Sequence, residues 1–159
     1  MNNLHIASEL IMALKIGINR KIRLILSLPE SKEPARIEID ISQDWETSPP
    51  RVFCKEHWVK RDIDWHVYSD RSLCYIYDRE WADEVLSVQN LGEQDRALYL
   101  SDLLLTFVIY LLDRHCLSEQ LGITNWIWPE RPHGREKAEE EYRCQLREQF
   151  LRLKARAES

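Results

Sequence analysis

Two runs, "KIRLILSL" and "ARIEIDIS", flank the short linker "PESKEP" and alternate apolar with polar residues. Successive side chains of a strand point to opposite faces, so a period of two marks strand rather than helix. The Pro- and Glu-rich linker then predicts an antiparallel hairpin. In the second run Ile37, Ile39 and Ile41 share one face, and Glu38 and Asp40 share the other. One side of this sheet is therefore wet, and the other must be covered by apolar surface from elsewhere in the chain.

Helical segments supply that cover. Over residues 3–15, Leu4, Ala7, Leu10, Ile11 and Leu14 recur at helical spacing, and Gly17 ends the run. "WADEVLSVQ" predicts a short helix and residues 97–114 a long apolar one, closed by Arg114 and His115. Its most apolar part, "LLLTFVIYLL", lies between Asp102 and Asp113 and is about half of the roughly 20 residues that a membrane crossing needs. It predicts a core helix and no membrane partner. From Arg135 a charged helix is expected to run onward, with Tyr142, Leu146, Phe150 and Leu153 on one stripe. Between the hairpin and the helices, Pro49 and Pro50 mark an irregular entry into a third strand, "RVFC". Residues 55–72 read as a long loop with one more short strand near 57–59. The expected fold class is α+β: an N-terminal helix, a short antiparallel meander, a cysteine-bearing loop and C-terminal helices. Residues 1–118 are taken as the domain proper. Residues 119–159 are a Trp/Pro-rich segment and a charged helix packed on it.

The chain has 159 residues, enough for one domain with a real core. Acidic residues outnumber basic ones by 27 to 22, so there is no domain-wide positive footprint and no nucleic-acid partner is expected. The basic stretch Arg20, Lys21, Ile22, Arg23 is too short to change that. The start, "MNNLHIASELIMALKIG", has an acidic residue within its apolar part and lacks a charged leader. The expected location is the cytoplasm, with Cys54, Cys74, Cys116 and Cys144 reduced. Cys54 with His57, and His115 with Cys116, are fragments of a zinc motif whose other half is missing. No metal and no cofactor are expected, and no Gly-rich nucleotide loop is present.

One of these cysteines stands in "SDRSLCYIYDREW". Cys74 is either a small buried hydrophobe or a nucleophile. The surrounding landmarks favour the nucleophile. "DWETSPPRV" leads into the third strand, and Asp64, Trp65 and His66 precede a turn reading Asp70, Arg71, Ser72, Leu73, Cys74. Trp81 and then the apolar stretch "LYLSDLLLTFVIYLL" follow. In this order and spacing the chain resembles the ubiquitin-conjugating family, over residues 3 to about 115. That family has an aromatic segment ending in Pro-Pro, a basic residue and Val. Downstream of it come a His-Pro-Asn motif, a turn of Asn or Asp, Gly, Ser, an aliphatic residue and Cys, a Trp, and an apolar helix. Two departures stand out. Asp64, Trp65 and His66 occupy the His-Pro-Asn positions, and Arg71 occupies that of the turn Gly. These make the chain look more like divergent bacterial relatives found in antiphage operons (the CBASS type or bacterial ubiquitin-like conjugation operons).

The resemblance implies a UBC-like fold and a transferase that holds a protein C-terminus as a thioester on Cys74 and passes it to an amine. The implied partners are a protein with a flexible C-terminal tail, either a cGAS-like nucleotidyltransferase or a ubiquitin-like protein, and a separate activating enzyme. A catalytically silent binding module of the same fold is the alternative. His66 has two roles open to it: ring donation to a developing oxyanion, in place of the family Asn, or closing the loop through a backbone carbonyl. Asp78 either accepts a hydrogen bond from the incoming amine or caps the next helix, and the cap is preferred. Tyr75 and Tyr77 either wall a groove for an extended tail or simply pack. Trp81 reads as core, and Cys54, Cys116 and Cys144 as incidental. Trp126 and Trp128, near Pro129 and Pro132, offer a partner surface, but packing of the last helix is the preferred reading.

Overall fold

In the computed structural model, residues 20–128 are described, together with Leu10, Met12, Leu14, Phe150, Leu151, Arg152, Ala155 and Arg156. Strands β1 (Arg20–Ser27), β2 (Pro34–Ile41) and β3 (Arg51–Cys54) form an antiparallel sheet in the order β1-β2-β3. The register pairs Ile22 with Ile39 and Leu24 with Ile37, then Ile39 with Val52 and Ile37 with Cys54. A period of two puts all of these on one face, and all are buried. The opposite face carries Arg23, Ile25, Arg36 and Glu38, with Arg23 and Glu38 paired across the strands at 3.7 Å.

The covering helices are α1 (Asp78–Ser87) and α2 (Glu93–Leu121). α2 begins after Gly92 and ends at Gly122, whose φ of 70° is the left-handed turn that closes many helices. Leu100, Leu103, Leu104, Phe107, Val108, Leu111 and Leu112 of α2 are buried in the same core as the sheet's inner face. The fold is thus mixed α and β, as the periodicities predict. Leu10, Met12 and Leu14 are helical, with Leu10 and Leu14 buried. Phe150 is also helical and buried, its ring 5.3 Å from that of Tyr99. Leu4, Ala7, Ile11, Gly17, Pro129, Pro132, Tyr142, Cys144, Leu146 and Leu153 lie outside the described residues.

Several boundaries differ from expectation. No strand forms at 57–59. That stretch turns instead, with the Val59 N–H donating to the Glu56 carbonyl. α2 does not stop at Arg114 and His115 but crosses the 118–119 position to reach Leu121. The reason lies in what these polar residues meet. Asp113 is 2% exposed, and its carboxylate accepts the Glu30 and Ser31 N–H groups of the β1–β2 turn at 3.0 and 2.9 Å. Arg114 pairs with Glu30, and the Gln120 amide donates to the Ser31 carbonyl. The polar residues that resemble a helix end are a clamp on the hairpin. Among the described residues no helix is long and apolar enough to cross a membrane.

Candidate active site

The loop leading to Cys74 is fastened from beneath. A 3-10 turn, Ile63–Trp65, starts at Asp62, whose carboxylate accepts the Asp64 N–H at 2.9 Å. It ends at His66, which adopts a left-handed conformation with φ of 60°. His115, wholly buried in α2, lies under this loop. Its Nδ1 accepts the Lys60 N–H at 3.1 Å, and its Nε2 lies 2.7 Å from the Trp65 carbonyl oxygen. A backbone N–H can only donate, so Nδ1 is the bare nitrogen and Nε2 carries the proton. Burial favours this neutral form and draws the His115 pKa down to about 4. The Lys60 ammonium donates to the Ile123 carbonyl at 2.9 Å and sits 4.5 Å above the Trp65 ring.

Trp126, beyond the end of α2, closes this cluster from the side. Its ring stands 4.8 Å from His66, 5.7 Å from Trp65 and 6.1 Å from His115. Trp128 donates its indole N–H to Ser118 Oγ at 2.8 Å. The two tryptophans therefore pack on α2 and the His66 loop.

From His66 the chain makes a miniature hairpin. Val67 bridges Leu73, the Cys74 N–H donates to the His66 carbonyl at 2.7 Å, and the Leu73 N–H donates to Val52 of β3 at 2.8 Å. The turn itself closes through Tyr68 N–H to the Ser72 carbonyl and Arg71 N–H to the Tyr68 carbonyl. Arg71 is left-handed, with φ of 75°, a conformation that favours glycine. Asp70 holds the turn by accepting both the Ser72 N–H and hydroxyl, and it pairs with Arg51 at 3.3 Å. These contacts hold the Asp70 carboxyl below its usual range, the Ser72 hydrogen bonds most of all. The Tyr75 hydroxyl donates to the Pro50 carbonyl at 2.6 Å, which ties the Pro-Pro segment to the residue after Cys74.

Cys74 is 5% exposed, less than the partial exposure that suits a nucleophilic thiol. Its surroundings nevertheless differ from those of the other described cysteines. Cys54 and Cys116 belong to the main hydrophobic cluster, and Cys74, though equally buried, stands apart from it. Burial pushes the Cys54 thiol up to about 11 and raises that of Cys116 as well. Cys74 instead lies within hydrogen-bonding reach of the Tyr68 phenol. Beside them lies a cleft of about 450 Å³. Pro50, Arg51, Tyr68, Asp70, Tyr75 and Asp78 contribute to its wall.

His66 joins Cys74 through its backbone carbonyl, and its ring packs edge-on against Trp126. Asp78 opens α1 and is exposed at the cleft, but it is not the cap expected of it. The cap position falls on Tyr77, which makes no side-chain capping bond. Asp78 therefore fills the first-turn position, where a carboxylate suits the helix dipole. Tyr77 is 48% exposed and Tyr75 is buried. Trp81 is fully buried, and its indole N–H donates to the Trp45 carbonyl. Among the described residues no group of three or more His, Cys, Asp or Glu is arranged to hold a metal ion.

Nothing in the sequence singles out Tyr68, and His115 reads there as the end of the apolar helix, with no metal expected. Tyr68 had no clear signal, because it falls in a stretch without periodicity whose hairpin only the structure shows. His115 had none, because its partners lie in a loop far away in the chain. Compared with protein-family models, with curated proteins and with solved structures, the chain matches none of them.

Proposed function

We propose that this chain is a ubiquitin-conjugating-like acyl carrier with Cys74 as its nucleophile. The observation that carries the reading is the setting of Cys74. It is a buried thiol apart from the main core cluster, within hydrogen-bonding reach of a phenol, on a loop fastened from α2. Its flanking residues Leu73 and Tyr75 line an open cleft. The sequence landmarks around it add the UBC-like fold to this reading, with the antiparallel meander and the helices that follow.

The chemistry is two acyl transfers. The Cys74 thiolate attacks the carbonyl of an activated protein C-terminus, a C–S bond forms, and the activating group departs. An amine then attacks the thioester, a C–N bond forms, the sulfur leaves with its electron pair, and the amine proton passes to water. The carried protein would be a cGAS-like nucleotidyltransferase or a ubiquitin-like protein in bacterial antiphage defence, loaded by a separate activating enzyme. A second reading, a silent binding module, is favoured by the 5% exposure of Cys74.

Intact mass and non-reducing gels of wild type and Cys74→Ala, each co-expressed with genomic neighbours, separate the two. A heavier species that thiols or hydroxylamine cleave, and that Cys74→Ala lacks, supports the carrier and weighs its cargo. No adduct, with a neighbour copurifying equally with both proteins, favours the binding module.

A further inference from the structure

The miniature hairpin before α1 sorts its side chains. Its bridge pairs Val67 with Leu73, and both of these lie in the core. Alternation then directs residues 68 and 74 to the face of the hairpin opposite Val67 and Leu73. They are diagonal neighbours across the strands, a separation that an aromatic side chain spans. Tyr68 is 40% exposed and Cys74 5% exposed, so the phenol reaches solvent and the sulfur is buried. The turn that carries Tyr68 is itself braced by Asp70, Ser72 and Arg51. The phenol lies within hydrogen-bonding reach of the Cys74 sulfur.

We infer that Tyr68 is a second catalytic residue of the Cys74 site, its phenol donating a hydrogen bond that holds the sulfur as thiolate. This rests on the reading of Cys74 as the acyl-carrying residue. Burial first, and then the hydrogen bond to Cys74, raise the Tyr68 pKa, with Tyr77 and Asp78 adding to the effect. A phenol shifted that way stays protonated through the neutral range and remains a donor. A donor to the charged form of a group favours that form, and the thiolate is the nucleophilic species. The same bond serves the second transfer. As the C–S bond breaks and the electron pair returns to sulfur, the phenol O–H is already aimed at the leaving thiolate. The other charged groups lining the cleft beside Tyr68 are Asp70 and Arg51, which are paired with each other, and Asp40 and Asp44.

The test is the rate of iodoacetamide modification at Cys74 as a function of pH, read by peptide mass spectrometry on the folded full chain. Wild type is compared with Tyr68→Phe, which keeps the ring and removes the donor. The expected result is a Tyr68→Phe profile displaced upward by roughly one pH unit, with a roughly tenfold slower rate on the acid limb. Superimposed profiles overturn the role of Tyr68, whatever the adduct assay shows. A displaced profile in a chain that never forms a cleavable adduct leaves the hydrogen bond standing and sinks the carrier reading. Complete resistance of folded wild-type Cys74 at every pH overturns both.

Discussion

His115 and Trp65 meet through a buried hydrogen bond of 2.7 Å from Nε2 to a backbone carbonyl, and this bond sets the height of the cysteine loop above α2. The ring's other nitrogen receives the Lys60 N–H. One imidazole thus spans the loop that ends at His66, whose own carbonyl holds the Cys74 N–H. The bond pattern requires the neutral imidazole.

Stability should therefore depend on pH through His115. Its folded pKa is depressed to about 4 from 6.5. The neutral form is favoured on folding, so the contribution is complete above about 6.5 and is lost as pH falls toward 4. The loss is on the order of 3 kcal/mol. Urea unfolding of wild type and His115→Gln across this window checks it. The variant should be less stable at neutral pH, and its profile should be flatter. Parallel profiles would show that another group carries the acid dependence.

Asp113→Ala should loosen the β1–β2 turn. It leaves the Glu30 and Ser31 N–H groups without their acceptor. The expected cost is about 2–3 kcal/mol, with faster hydrogen exchange at those two amides. Unchanged exchange there would mean that the Arg114–Glu30 pair holds the turn without Asp113.

Arg71→Gly should be stabilising. Arg71 occupies a left-handed conformation, and glycine removes the steric cost of its Cβ, a gain of about 1 kcal/mol. Arg71→Ala keeps the Cβ and should show no gain. A thermal melt of both variants decides the matter, and equal melting points would contradict the strain argument.

Cys54→Ala and Cys116→Ala remove sulfur atoms from the core and should each cost about 1 kcal/mol. Neither should alter adduct formation. Cys74→Ala, at a similarly buried position, should cost a similar amount of stability and abolish the adduct. If Cys54→Ala or Cys116→Ala abolished it instead, Cys74 would not be the acyl-bearing residue.

The hairpin and the apolar helix were legible in the sequence because their signals are local. Ile37, Ile39 and Ile41 alternate on one strand, and Leu100, Leu103, Leu104 and Phe107 recur on one helix. The family resemblance, carried by local motifs, also marked Cys74 and Asp78 as candidates on one stretch of chain. The pairing of Val67 with Leu73 that sets Tyr68 near Cys74 was not legible, because residues 55–72 carry no clear periodicity. What else escaped was decided by contacts between distant parts of the chain. Asp113 and His115 look like the polar end of a helix, yet they are buried because a hairpin turn and a loop bring backbone groups to them. Trp126 reads as an aromatic that packs, but its partner His66 appears only when the chain folds back. Periodicity tells a residue which face it takes. Only the tertiary structure supplies the partner that meets it there, because a buried polar group is stable only where a matching donor or acceptor arrives from elsewhere.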